Sequence, residues 1–305
     1  MILSIAHRSS LAIAAGAVIF SSTLPSLALT EPSHRETFEM NFIGGGEFRD
    51  YIMDHVRGDD LWAQAIFRFG STHNLMHELM SDMARHGLEA HGHADRIPAF
   101  WNRISGGEWR TYRENNEAAD DDSNWAKLVQ ATEVMHDRFH HAMYHATVLD
   151  NDMKARGADV RDYLRDDPAP EAETFPDPLL PDAALVSSGQ FRRTAWTFAP
   201  ESPAWHTTYQ QTAVFTELLA TLMTDWARYA AQTLSPNQRP PDFGGRMDSA
   251  TWMTWIEQFP EDGAAEWRYF LRSVALMDHH IHEMLYWMEH YNTDQNPFGE
   301  SPDSR

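Results

Sequence analysis

Sliding the chain against itself by 143 positions brings like residues into register over a long ungapped stretch. Gly46, Phe48 and Arg49 meet Gly189, Phe191 and Arg192, and Trp62 meets Trp205. Leu79-Met80-Ser81-Asp82-Met83-Ala84-Arg85 meets Leu222-Met223-Thr224-Asp225-Trp226-Ala227-Arg228. Arg96, Pro98, Phe100 and Arg103 meet Arg239, Pro241, Phe243 and Arg246; Trp109, Thr111 and Glu114 meet Trp252, Thr254 and Glu257. Roughly a quarter of the positions between Gly46 and Glu114 are identical, several times what average composition gives by chance. Beyond them the offset becomes 141, and Asp137, His141, Met143 and Asn151 meet Asp278, His282, Met284 and Asn292. The period exceeds that of solenoid repeats, so each copy is a large half-domain.

Each copy reads as a long helix, an irregular connector with a short helix, and a second long helix. In copy two, Ser202-Pro203 supplies an N-cap and a first-turn proline. Phe215, Leu218, Leu219, Leu222 and Trp226 follow at helical spacing, and Ser235-Pro236 stops the run. The matching helix of copy one runs from about Asp60 to His86, with Gly87 as its end. Ser123 caps a helix reaching about Arg156, with Gly157 as its stop, and residues 264–292 form its partner. The expected fold is all-α: a helical bundle made of two tandem-duplicated helical hairpins, four long helices plus short connector helices. The first repeat spans residues 29–164, a Pro/Asp-rich linker 165–187, the second repeat 188–292 and a polar tail 293–305.

Residues 1–28 read as a signal peptide: an apolar run from Leu11 to Phe20, then Ser26-Leu27-Ala28 as a small-x-small cleavage site. The run is too short to span a bilayer, and no later stretch is apolar enough, so a periplasmic or secreted protein is expected. The chain has no Cys, which removes disulfides and thiolate ligands. A net charge of −21 argues against a nucleic-acid partner, which needs basic surface to displace counterions.

The two copies differ where chemistry could reside. The second long helix of copy two carries an apolar stripe of Phe270, Val274, Met277, Ile281, Met284, Leu285 and Met288. The equivalent stripe of copy one reads Val129, Glu133, His136, His140, Met143, Tyr144 and Thr147. A carboxylate and two imidazoles at core positions each need a partner, and one metal ion satisfies all three. The facing helix supplies His73 and His77, four apart and so on one face, where copy two has Thr216 and Ala220. We therefore expect a metal site of His136, His140, Glu133, His73 and His77, holding a transition-metal ion; copper and iron lead, and zinc also fits imidazole. Weaker candidates are Asp137, His141, Asp278 and His282, shared by the two copies, and His86.

Glu133-Val134-Met135-His136 resembles the Glu-x-x-His element of ferritin-like di-iron proteins, which implies a four-helix bundle with carboxylate ligands; Val274 and Met277 stand where the second element would fall. His73-Asn74-Leu75-Met76-His77 is similar to the His-Asn-x-x-His element of type-3 copper proteins, which implies copper. Metal handling or oxidoreductase chemistry is the expected function. The alternative is a metal-free binding or scaffold module using the duplicated Trp/Arg-rich connectors, with Trp101, Trp109, Trp252 and Trp255.

Overall fold

Two long helices begin where a side chain can cap them. The Asp60 carboxylate accepts the Ala63 amide at 2.8 Å, and the Ser123 hydroxyl accepts the Ala126 amide at 3.1 Å. Each satisfies a first-turn N–H that has no partner inside its helix. The computed structural model describes residues 42–96, 103–115, 122–154, 188–197, 203–240, 249–256 and 265–295. The expected leader, the linker and the Gly157 stop lie outside these residues. All described residues belong to one compact unit, Arg35–Arg305.

Among the described residues there are eight α-helices and no strand: α1 (Gly45–His55), α2 (Leu61–Ala90), α3 (Gly106–Asn115), α4 (Asn124–Lys154), α5 (Ser188–Thr197), α6 (Pro203–Thr233), α7 (Ser249–Ile256) and α8 (Ala265–Gln295). Short and long helices alternate four times. The starts of α5 and α7 lie 143 residues after those of α1 and α3, and α8 begins and ends 141 residues after α4. Each short helix carries a buried aromatic residue three positions from its start: Phe48, Trp109, Phe191 and Trp252. No described helix is long and apolar enough to cross a membrane.

The four long helices meet in an aromatic core. Phe69 of α2 lies 4.9 Å, centroid to centroid, from both Phe139 of α4 and Trp226 of α6, and Trp226 lies 4.9 Å from Phe270 of α8. All four rings are fully buried, each worth about 1.5–3 kcal/mol over exposure. Neighbouring long helices run antiparallel. Trp62 at the start of α2 packs on Tyr229 near the end of α6, and His86 near the end of α2 stacks on Trp205 at the start of α6. Trp125 at the start of α4 meets Tyr291 near the end of α8, while His145 farther along α4 meets Tyr269 near the start of α8.

Two expectations change. The most extensive packing joins α4 with α8 and α2 with α6, the equivalent helices of the two halves, and not the two helices of one hairpin. Within the first half, part of the α2–α4 seam is occupied by polar side chains described below. Gly87 does not end α2, which continues to Ala90. A Cβ there would lie 2.5 Å from Cζ2 of Trp125 and closer still to the Tyr112 hydroxyl, so this glycine admits neighbouring side chains. The positive φ belongs to Gly92, two residues beyond the helix.

Candidate metal centre

His73 and His77 lie one turn apart on α2, and His136 and His140 one turn apart on the antiparallel α4, so the pairs face each other. Their Nε2 atoms converge. Nε2 of His73 is 3.0 Å from that of His77 and 3.1 Å from that of His140, whose Nε2 is 3.1 Å from that of His136. One nitrogen from each ring lies within 4.8 Å of the other three. His73 and His136 are buried, and His77 and His140 partly so. This is the one group of three or more potential ligands that close together among the described residues.

The far sides of three of the four rings are held from outside. Nδ1 of His140 donates to the carbonyl of Ile43 at 2.7 Å, and Nδ1 of His77 to the carbonyl of Ile104. Nδ1 of His136 faces the Asp137 carboxylate at 3.1 Å. A carbonyl can only accept, so the proton of His77 and of His140 sits on Nδ1, and Nε2 presents a lone pair to the centre. The same tautomer follows for His136 beside a carboxylate. Without a cation, the Nε2 lone pairs of His136 and His140 oppose each other. Protonation is a poor remedy: burial pushes both imidazoles down to about 3, with their mutual charge repulsion adding to it for His140. Burial likewise lowers His73 well below the ordinary value, and lowers His77.

The two carbonyls belong to matching pieces of backbone that lead into α1 and α3. In Ile43-Gly44-Gly45 the isoleucine carbonyl holds His140, and the second glycine abuts His73. In Ile104-Ser105-Gly106 the carbonyl holds His77, and the glycine abuts His136. A Cβ on Gly45 would lie 2.8 Å from Nδ1 of His73 and closer to its Cε1; one on Gly106 would lie 2.5 Å from Cε1 of His136. Each strap therefore touches one histidine from each long helix. The sequence reading missed Ile43, Gly45, Ile104 and Gly106. A signal existed: at the offset of 143, Gly45 and Gly106 meet Ser188 and Ser249, so the glycines occur only in the copy that has the histidines.

The other expected ligands lie elsewhere. Glu133 forms ion pairs with Arg113 at 2.8 Å and Arg110 at 3.4 Å, beside the four-nitrogen cluster and not in it. Burial raises its carboxyl above the usual range, against the pull of both arginines. Asp137 stands behind the His136 ring, its carboxyl also raised by burial. His141 packs on His145, and Asp278 and His282 pair with each other along α8 at 3.7 Å. His86 bonds to the Tyr291 hydroxyl at 2.9 Å and stacks on Trp205. Of the connector tryptophans, Trp109, Trp252 and Trp255 are fully buried, and the last two donate to the carbonyls of Leu271 and Gln238. These three serve packing; Trp101 lies outside the described residues.

Comparison with protein families, with curated proteins and with solved structures finds no match.

Proposed function

We propose that this chain is an exported metal-binding protein that holds one transition-metal ion between His73, His77, His136 and His140. Copper and iron stand ahead of zinc as the cargo or cofactor, and metal handling or oxidoreductase chemistry as its use. One observation carries the reading: four imidazole nitrogens converge while backbone carbonyls take the N–H groups of His77 and His140 on the far side. A purely hydrogen-bonded cluster lacks enough inward-facing protons for its contacts. A cation fills that deficit at every nitrogen together, and neutral imidazole is the form a metal binds. The export part rests on the leader read in residues 1–28.

Elemental analysis of untagged protein from the extracytoplasmic fraction tests the metal. Roughly one ion per chain is expected, because the four nitrogens converge on a single centre. Background levels that do not rise on reconstitution overturn the reading. Mass spectrometry of the same sample tests export, with Leu29 as the expected first residue.

A further inference from the structure

We infer that the four imidazoles form a flattened, tetragonal equatorial set, and that the cation this geometry selects is Cu²⁺; the inference rests on the reading that the cluster holds an ion. A tetrahedral ion at the ordinary metal–imidazole distance of 2.0–2.1 Å would space all six nitrogen pairs alike, at about 3.3 Å. The observed set is unequal. Three Nε2 pairs stand at 3.0–3.1 Å and form an open chain, His77–His73–His140–His136. The ring centroids show how that chain closes. Around the circuit, neighbours are separated by 4.4 Å (His73–His77), 5.2 Å (His77–His136), 4.4 Å (His136–His140) and 4.7 Å (His140–His73). The two cross-circuit pairs are longer, 6.5 Å for His73–His136 and 6.3 Å for His77–His140. Four short edges with two long diagonals describe a puckered square.

The straps oppose relaxation to a tetrahedron. Gly45 abuts His73 and Gly106 abuts His136, too close to admit a Cβ, at the two ends of one diagonal, while the Ile104 and Ile43 carbonyls hold the two ends of the other. Folding the square would require each strap to move with a ring it already touches. Tetragonal nitrogen sets suit Cu²⁺ and Ni²⁺, and the affinity order places Cu²⁺ higher. Zinc, with no geometric preference of its own, gains nothing from a flattened set.

The probe is Cu²⁺ alone, added at one equivalent to the metal-depleted full chain, read by electron paramagnetic resonance and elemental analysis. The expected spectrum is axial, with large copper hyperfine splitting and superhyperfine structure from four nitrogens. His73→Gln should remove one nitrogen from that pattern while the circular dichroism stays that of the parent. Stoichiometric copper with a collapsed hyperfine splitting, or with fewer than four nitrogens in the parent, overturns the flattened geometry and leaves the metal-binding reading standing. Failure of the parent to retain copper overturns both.

Discussion

Nε2 of His136 faces Nε2 of His140 across 3.1 Å, while Nδ1 of the first turns to the Asp137 carboxylate and Nδ1 of the second to the Ile43 carbonyl. Two lone pairs are thus held together by partners on their outer sides. The second copy avoids this conflict by placing Met277 and Ile281 at the equivalent positions, both buried. The first copy retains it, and the retained cost is what makes a bound cation the natural complement.

That contrast gives the first prediction. Replacing His136 with Met and His140 with Ile transplants side chains that the sister helix already packs. Glu133 stays, because it neutralises Arg110 and Arg113. The double variant should lose its ion and remain helical. It should also melt above the metal-free parent by several degrees, since a gain of 1 kcal/mol moves a domain of this size by about 2–4 °C. Metal analysis and thermal melts of both apo proteins check it; full metal occupancy in the variant would move the site elsewhere.

Gly45→Ser and Gly106→Ser restore the residues found at Ser188 and Ser249. In copy one the added Cβ meets a histidine ring, so each change should cost about 1–3 kcal/mol of apo stability by overpacking. Each should also weaken metal affinity, because the ring must turn from its bonded position. Denaturant melts and metal competition titrations measure the two effects. Wild-type affinity in both variants would show that the straps do not position the ligands.

Acid should destabilise the metal-free protein over a defined window. His136 and His140 are held down to about 3 when folded and return toward the ordinary value near 6.5 when unfolded. Between those limits the unfolded chain binds more protons, so stability falls as pH falls from about 6.5 toward 3. The His136→Met/His140→Ile variant should show a shallower slope. It should not be flat, because burial also depresses His86 and His145 to about 4. Denaturant midpoints measured at several pH values decide it; equal slopes for parent and variant would contradict the burial of the pair.

Asp150 is fully buried and accepts the Tyr51 hydroxyl at 2.8 Å and the Trp62 indole N–H at 2.9 Å, tying α1 and α2 to α4. Asp150→Ala removes both of these buried bonds and should cost about 2–4 kcal/mol. Asp150→Asn should cost less, since the analogous Trp205 donates to an amide, Asn292, at 3.1 Å. Equilibrium unfolding of the two variants separates these outcomes.

Much of the helical order was legible in the sequence because capping and periodicity are local. Asp60, Ser123 and the Ser235-Pro236 stop mark helix boundaries through contacts a few residues away. The four histidines were legible for a different reason: the sister copy supplies an apolar reference against which they stand out. What was not legible needed the third dimension. Nothing in the spacing of Glu133 distinguishes a ligand from a partner of Arg110 and Arg113, because all project from α3 or α4 toward the same side. The carbonyls of Ile43 and Ile104 carry no side-chain signature, and only the glycines two residues on betray the close backbone approach. The pairing of equivalent helices across the halves was equally hidden, since apolar stripes do not name the partner they meet.

That cross-pairing bears on how such a chain could arise and be dissected. The surfaces of α2 and α4 that α6 and α8 now cover are the ones a first half standing by itself would leave wet. A polypeptide ending after α4 should therefore seek a second molecule of itself, giving a twofold assembly with two histidine clusters. Joining the halves in one chain fixes their ratio and frees one of them from carrying the histidines: the second half keeps buried Met277 and Ile281 where the first has His136 and His140, and acts as the wall against which the first half holds four polar rings in place.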